Sequence, residues 1–238
     1  MATVPAWMLG VRRNGRAGFT LVELLVVVGL VALLIAVLAP GRSDAGQSMA
    51  LKSAQAGIMG LLSVARTKAV ASGQSSRILL NVDPTGSTRE LGFLRYLVVQ
   101  TQQGAAWQSV AEFYLPEGTY VVPGDFSPLP AGLFAAGASA WVRSDLTSPL
   151  RSSALRTSQL TTEAVAGGLT QKWVSIVISA AGSTAQTGDV VVALGQRRPP
   201  NSYAAGESPI QLVDPERVCG VTLSSYGLAV LIDNRASF

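Results

Sequence analysis

The chain has 238 residues, of which 13% are charged and 48% are hydrophobic, and it contains one cysteine and no histidine. The lack of histidine excludes Ser-His-Asp and Cys-His nucleophile systems and any metal site that needs histidine, and a lone cysteine cannot form an internal disulfide. Arg12, Arg13 and Arg16 contribute three of the four net positive charges, so the rest of the chain does not indicate a nucleic-acid partner.

A long apolar segment, residues 19–39, follows the basic leader, and Glu23 is its only ionisable residue. As a helix it would be about 30 Å long, which is enough to cross the hydrocarbon core of a bilayer. The arginines before it predict that the leader, residues 1–18, stays in the cytoplasm and that the bulk of the chain is exported. A cleaved secretory signal fits less well, because its apolar core is shorter and ends at a small-residue site. A plain single-pass anchor is the other alternative.

Glu23 needs an explanation, because a carboxylate inside a membrane costs about 2.5–3.5 kcal/mol on translocon scales unless it is paired or protonated. It lies only about one turn into the segment, so one interpretation is that it reaches water at the cytoplasmic face. The other is cleavage after Gly18, which would give Phe19 a new α-amino group. In a bundle of identical, axially offset helices, that ammonium would meet Glu23 of a neighbouring subunit.

The run Gly18-Phe19-Thr20-Leu21-Val22-Glu23 resembles the class III leader junction of type IV pilins and type II secretion pseudopilins. The resemblance implies that a prepilin peptidase cuts between Gly18 and Phe19, that the new N-terminus at Phe19 is methylated, and that Glu23 is the assembly residue. It implies as partners this peptidase, other pilin or pseudopilin subunits, an inner-membrane assembly platform and the lipid bilayer. We expect no cofactor, no metal and no catalytic residue, and we expect that the chain is not an enzyme.

Pro40 follows the apolar segment and has two interpretations. Proline removes a backbone donor, so Pro40 with Gly41 would either bend the helix, as in many type IV pilins, or end it. Residues 40–72 are expected to form the amphipathic second half of the helix. Apolar residues recur there at helical spacing from Leu51 to Ala69, and Ser72-Gly73 supply the stop.

Residues 73–238 are dominated by β signals and are expected to form an extracytoplasmic head. We predict strands over residues 77–82, 91–100, 107–115, 120–122, 173–179, 189–194, 218–223 and 228–232. Hairpins are expected across the turns at 83–86, 182 and 224–227. Residues 123–168 are interpreted as an irregular insertion with a short helix around 152–160. Cys219, in a predicted strand, is interpreted as a buried structural thiol rather than a functional one.

This order of elements resembles the minor pseudopilin H and FimT-like family, with the Verrucomicrobia-type cassette protein D group as a closer relative to consider. The similar runs are residues 65–70, 115–118, 176–194 and 218–230, whereas the insertion at 123–168 is longer than that family implies. The expected fold class is α+β, a long N-terminal helix packed on an antiparallel β-sheet domain. The expected function is a minor subunit of a type IV pilus-like or type II secretion filament, held in the bacterial inner membrane before assembly.

Two other functions compete with this one. The first is a pilus-tip module for DNA uptake or adhesion, in which these cations would meet phosphates: Arg143, Arg151, Arg156, Lys172, Arg197 and Arg198. The alternative interpretation of these residues, a solvated surface with scattered cations, disfavours nucleic acid as a partner. The second is an exported enzyme, for which Asp214 and Glu216 are the acid pair, but they flank Pro215 in a predicted loop without a partner base nearby.

Overall fold

A computed structural model of the chain describes residues 21–85, 92–124, 129–165, 170–199 and 201–238, with side chains at all of these except 32–44 and 157. The chain divides into two compact units, residues 1–44 and residues 45–238. The second unit is the head, which contains the C-terminal part of the long helix and all the strands described below.

Helix α1 spans Leu21–Ser72. Its residues from 45 onward belong to the head and bury one apolar face at three- and four-residue spacing, as predicted: Leu51, Ala54, Ile58, Leu61, Leu62, Ala65 and Ala69. The helix ends at Ser72, and Gly73 follows with φ of 64°, the left-handed conformation that commonly closes a helix. The helical backbone continues through Pro40, so the interpretation that Pro40 ends the helix is wrong. A bend at Pro40 stays a prediction.

The first sheet contains five antiparallel strands in the order β3-β2-β1-β6-β5. Their bounds are β1 Ser76–Asn81, β2 Tyr96–Gln103, β3 Ala106–Tyr114, β5 Leu160–Ala164 and β6 Thr170–Ile178. The predicted hairpin of β1 and β2 is confirmed, with Ile78 opposite Val99. Ile78 and Leu80 face the helix, while Leu79 on the other face packs with Val98, Val165 and Trp173.

The second sheet is also antiparallel and has the order β10-β9-β7-β4, with β8 paired to the end of β7. The bounds are β4 Thr119–Val121, β7 Gly188–Arg197, β8 Ile210–Leu212, β9 Val218–Leu223 and β10 Ala229–Ile232. The predicted closing hairpin of β9 and β10 is confirmed, and β10 forms one edge of this sheet. Strand β8 was not predicted.

Both sheets and α1 share one hydrophobic core. Ile58 and Leu62 of the helix face Leu80 of the first sheet and Val190 of the second around a cavity of about 20 Å³. The core is therefore closed by three layers of secondary structure, and it confirms the α+β class with the helix packed on antiparallel strands.

The return strand was predicted to begin at residue 91, and this boundary is wrong. The backbone turns at 92–95 and β2 begins at Tyr96. Leu94 is buried with φ of 56°, donates its N–H to Asn81 and accepts one from Val121. These bonds hold the turn against β1 and β4, so β2 begins only after the turn.

The predicted hairpin of residues 176–194 is also wrong, because its two strands belong to different sheets. Strand β6 pairs with β1 and β5, whereas β7 pairs with β4, β8 and β9. The turn between them is real: Ser179 accepts the N–H of Gly182 and donates its own to Ser183. It carries the chain from one sheet to the other.

The short helix expected around 152–160 is confirmed only as a 3-10 helix over Thr157–Gln159, and residues 152–156 are not helical. The 3-10 helix leads into β5, so the predicted insertion contains an edge strand. Ser152 donates its hydroxyl to the carbonyl of Val122 and accepts the N–H of Val191. The backbone N–H of Ala154 donates to the carbonyl oxygen of Asp189 at 3.1 Å, so it has a long-range partner in place of the local one that a helix would provide.

Candidate assembly site

The N-terminal part of α1 presents an exposed apolar surface. Every side chain from Leu21 to Val31 is exposed, and Leu21 and Leu25 retain 79% and 65% of their accessible surface. Contiguous apolar surface of this kind marks contact with lipid or with another protein. The exposed segment from Leu21 to Val31 is therefore the candidate assembly site.

Glu23 lies within this apolar surface, in the first turn of α1, and its side chain is exposed. A carboxylate is favoured there because the N-terminal end of a helix carries a partial positive charge. An α-ammonium group near the same helix end would add a full positive charge. The pairing of Glu23 with the α-ammonium of a neighbouring subunit stays a prediction.

The other predicted residues of the site are only partly covered by the structure. Gly18 and Phe19, the predicted cleavage junction, lie outside the described residues, as does the leader 1–18. Pro40 lies within the helical backbone of α1. Cleavage, methylation and the bend at Pro40 consequently stay predictions.

No helix in the described part of the chain combines the length and hydropathy needed to cross a membrane. The predicted segment 19–39 extends outside the residues whose side chains are described. Its assignment as a membrane anchor is taken up below as part of the proposed function.

Three of the six cations considered for DNA are engaged by other side chains of the head. Arg143 pairs with Asp189 at 3.0 Å and Arg198 pairs with Glu207 at 3.0 Å. Arg151 lies over the ring of Phe134, with 4.6 Å from its guanidinium carbon to the ring centroid. A paired guanidinium has less to offer a phosphate, so these contacts do not favour a DNA-binding module.

The acid pair considered for an enzyme is engaged in ion pairs. Asp214 accepts from Nε of Arg217 at 2.8 Å, and Glu216 pairs with Arg235. Among the described residues, no three acidic or cysteine side chains form a group that could hold a metal ion. Each of these two carboxylates is therefore neutralised by an arginine, which explains their presence in the loop without a catalytic role.

Cys219 is buried on β9, as predicted. Burial raises the pKa of its thiol to about 11, and its Sγ lies 3.5 Å from the carbonyl oxygen of Leu51. A thiol with this pKa stays protonated at neutral pH and is a poor nucleophile. Its position between β9 and α1 is that of a packing residue.

Gln55 is a buried polar residue of α1 that was not among the residues predicted for its buried face. It is 2% exposed, and its Nε2 donates to the carbonyl oxygens of Gly220 and Ile232, both at 2.8 Å. The burial of Gln55 could have been predicted from its spacing, because Gln55 is four residues after Leu51 and three before Ile58, both on the buried face. It joins the helix to the β9–β10 hairpin.

Residues 13–39 match the family described as the prokaryotic N-terminal methylation motif. The chain therefore carries the N-terminal motif of type IV pilin-like proteins. This confirms the resemblance to that class that was predicted from the run containing Gly18, Phe19 and Glu23. No curated protein matches the chain significantly.

Two solved structures of the minor pseudopilin EpsH from the type 2 secretion system of Vibrio cholerae are similar to this chain. One is 13% identical, with 77% of this chain and 96% of the other covered and a TM-score of 0.38. The second is 17% identical, with 79% of this chain and 97% of the other covered and a TM-score of 0.39.

Proposed function

We propose that the chain is a minor pilin or pseudopilin, a structural subunit that is inserted in the bacterial inner membrane and then assembled into a type IV pilus-like or type II secretion filament. The observation that carries the proposal is the overlap of the methylation motif, residues 13–39, with the exposed apolar start of α1. A processing motif directly before the apolar N-terminal end of a helix is what a helix needs that is first held in lipid and later packed against other helices.

The proposed processing step lies at the junction of leader and helix. A prepilin peptidase hydrolyses the amide bond between Gly18 and Phe19, which gives the leader a carboxylate and Phe19 an α-amino group. Methylation of that amine follows. The cationic leader holds the N-terminus in the cytoplasm, and the head is placed on the other side of the membrane.

Glu23 is the proposed assembly residue. Its carboxylate and the ammonium of Phe19 are both expensive to bury alone, but together they form a pair that offsets much of the cost. The pair forms between neighbouring subunits that are displaced along the filament axis. Each new subunit is thereby set at one axial offset from the last.

The head is proposed to face outward from the filament. Among the side chains that the structure describes, its core contains α1 residues from Leu51 onward together with both sheets, and none from Leu21 to Val31. A head with its own core can stay folded while the helix moves from lipid to filament. The inner-membrane assembly platform is the proposed partner in that transfer.

Mass spectrometry of the chain purified from membranes of a host with a prepilin peptidase tests the proposal. The expected product begins at N-methylated Phe19 and lacks residues 1–18. A host without the peptidase provides the control and yields the chain that begins at Met1. Isolation of the Met1 form from the peptidase-containing host contradicts the proposal.

A further inference from the structure

The head carries a polar cleft where the ends of β7 and β8 pair with each other. Its volume is about 530 Å³, which lies within the usual range of small-molecule sites, about 300–1,000 Å³. The described residues that line it are polar or charged apart from one proline: Gln196, Arg197, Arg198, Pro199, Ser202 and Gln211. We call this site the β7–β8 cleft. None of these residues belongs to the candidate assembly site or to the hydrophobic core.

The charge of the lining favours an anion. Among the described residues that line the β7–β8 cleft, two are arginines and none is acidic. Arg197 is exposed there, so its guanidinium can meet a ligand from solution. The planar fork of a guanidinium matches the two oxygens of a carboxylate, which makes a carboxylate the group that Arg197 is suited to bind.

Arg198 fixes one wall of the cleft. Its Nη2 donates to the carbonyl oxygen of Ser202 at 2.8 Å, and its Nη1 donates to that of Ser208 at 3.3 Å. Its guanidinium carbon lies 5.3 Å from the ring centroid of Tyr203. Ser208 is fully buried, and its N–H donates to the carbonyl oxygen of Ala131 at 2.8 Å. The wall is therefore formed before a ligand arrives, which lowers the entropy cost of binding.

Two amide side chains stand next to each other in the cleft. Gln196 of β7 and Gln211 of β8 are directly paired across the strands, so both side chains project from the same face of the ladder. Each amide offers donors and an acceptor, which suits a sugar hydroxyl because a hydroxyl both donates and accepts. Apart from Pro199, the described lining offers no apolar side chain that could receive one from a peptide. The lining therefore favours a ligand with many hydroxyl groups over an acidic peptide.

We propose that the β7–β8 cleft binds an acidic oligosaccharide, with a sugar carboxylate on the guanidinium of Arg197 and sugar hydroxyls on the amides of Gln196 and Gln211. The charged pair sets the orientation of the ligand, and the amides distinguish a sugar from other carboxylates. This binding activity goes beyond the proposed function, because the assembly of a structural subunit requires no saccharide.

Isothermal titration calorimetry with the full-length chain in detergent tests the site, and trigalacturonate is the probe. Two matched probes accompany it. The methyl ester of the same trisaccharide keeps the hydroxyls without the charges, and triglutamate keeps three carboxylate side chains without the sugar. We expect trigalacturonate to bind and each matched probe to bind about tenfold more weakly or less. No binding of trigalacturonate, equal binding of the ester, or equal or tighter binding of triglutamate overturns the proposal.

Arg197→Gln and Lys172→Gln are a matched pair of variants, since each removes one positive charge from an exposed position. Lys172 lies on β6, in the other sheet. We expect Arg197→Gln to weaken trigalacturonate binding about tenfold, and Lys172→Gln to leave it within about twofold. Gln196→Glu should also weaken binding, because it places a second carboxylate beside that of the ligand. Thermal melts establish that each variant is folded.

Two results with these variants contradict the site. Equal losses in Arg197→Gln and Lys172→Gln mean that the attraction is a property of the whole surface, and unchanged binding in both Arg197→Gln and Gln196→Glu places the ligand elsewhere. The outcome is separable from the proposed function, because the cleft lies in the head and a Gly18→Val precursor should bind equally well. A retained leader with intact binding counts against the proposed function alone, and a processed chain without binding counts against this inference alone.

Discussion

Gln55 donates a hydrogen bond from Nε2 to the carbonyl oxygen of Gly220, and the two atoms are 2.8 Å apart although the residues are 165 positions apart in the chain. We predict that Gln55→Ala destabilises the head by about 1–3 kcal/mol, because buried carbonyl groups lose their donor. Thermal unfolding of the full-length chain in detergent checks this, and each kcal/mol corresponds to about 2–4 °C in Tm. Ser53→Ala, at an exposed position of the same helix, should leave Tm nearly unchanged. An equal Tm for both variants contradicts the role of Gln55.

Gly220 and Gly60 provide a matched pair of glycines. A methyl group at Gly220 would lie 2.2 Å from the carbonyl oxygen of Val190, so Gly220→Ala forces β9 and β7 apart and should lower Tm strongly. At Gly60 nothing lies within 4 Å of that methyl group. Gly60→Ala should therefore raise stability by about 0.5–1 kcal/mol, the usual gain inside a helix. Thermal melts of both variants compare them, and a stable Gly220→Ala protein would show that the two strands can separate without cost.

Cys219 should be unreactive in the folded chain. Because burial raises the pKa of its thiol to about 11, the reactive thiolate forms only as the pH approaches that value. At pH 8 we expect labelling by a maleimide to be slow in native protein and fast in denaturant. A Ser53→Cys variant gives the rate of an exposed thiol on α1. Native Cys219 labelling at that same rate would mean that β9 opens from the helix.

Gly18→Val should leave the precursor uncut. The peptidase must accept the residue beside the scissile bond, and a branched side chain there obstructs the approach to the carbonyl carbon. Electrophoretic mobility and mass of the membrane-bound chain measure cleavage. Gly10→Val, the same change within the leader but away from the junction, should be processed normally. Normal processing of Gly18→Val would move the cleavage site elsewhere.

Glu23→Ala should separate cleavage from assembly. Removal of the carboxylate does not alter the Gly18–Phe19 bond, so the leader is still lost. The ammonium at Phe19 then has no partner in a neighbouring subunit, and incorporation into filaments should fall to background. Filaments sheared from cells and probed for the subunit give the measurement, with Glu23→Asp as the variant that keeps the charge. Wild-type incorporation of Glu23→Ala contradicts the pairing.

Much of the fold was predictable because its patterns are local. The strand β1, the helical spacing from Leu51 to Ala69 and the turn between β9 and β10 each depend on residues close in sequence, and the structure confirms them. Glu23 was conspicuous for a different reason, because a single charge within an apolar run stands out in any sequence. The methylation motif matches residues 13–39, which include Glu23, and the role of Glu23 in assembly stays a prediction.

The errors arose where distant bonds override local preference. The turn at Gly182 has every local sign of a hairpin, yet the pairing partners of β6 and β7 are set by β1 and β9. Residues 152–156 lie in the short helix predicted around 152–160, but they are not helical, and the hydroxyl of Ser152 is bound to Val122 and Val191. Neither outcome is encoded within a short window, and both depend on which strands the core brings together.

The order of α1 and the strands β9 and β10 has a consequence for biosynthesis. The ribosome makes the helix before these strands, so the bonds from Gln55 to Gly220 and Ile232 cannot form until both strands have been made. Until then this flank of α1 exposes apolar side chains that chaperones and proteases can bind. A chain that stops before β9 therefore leaves this flank of the helix uncovered.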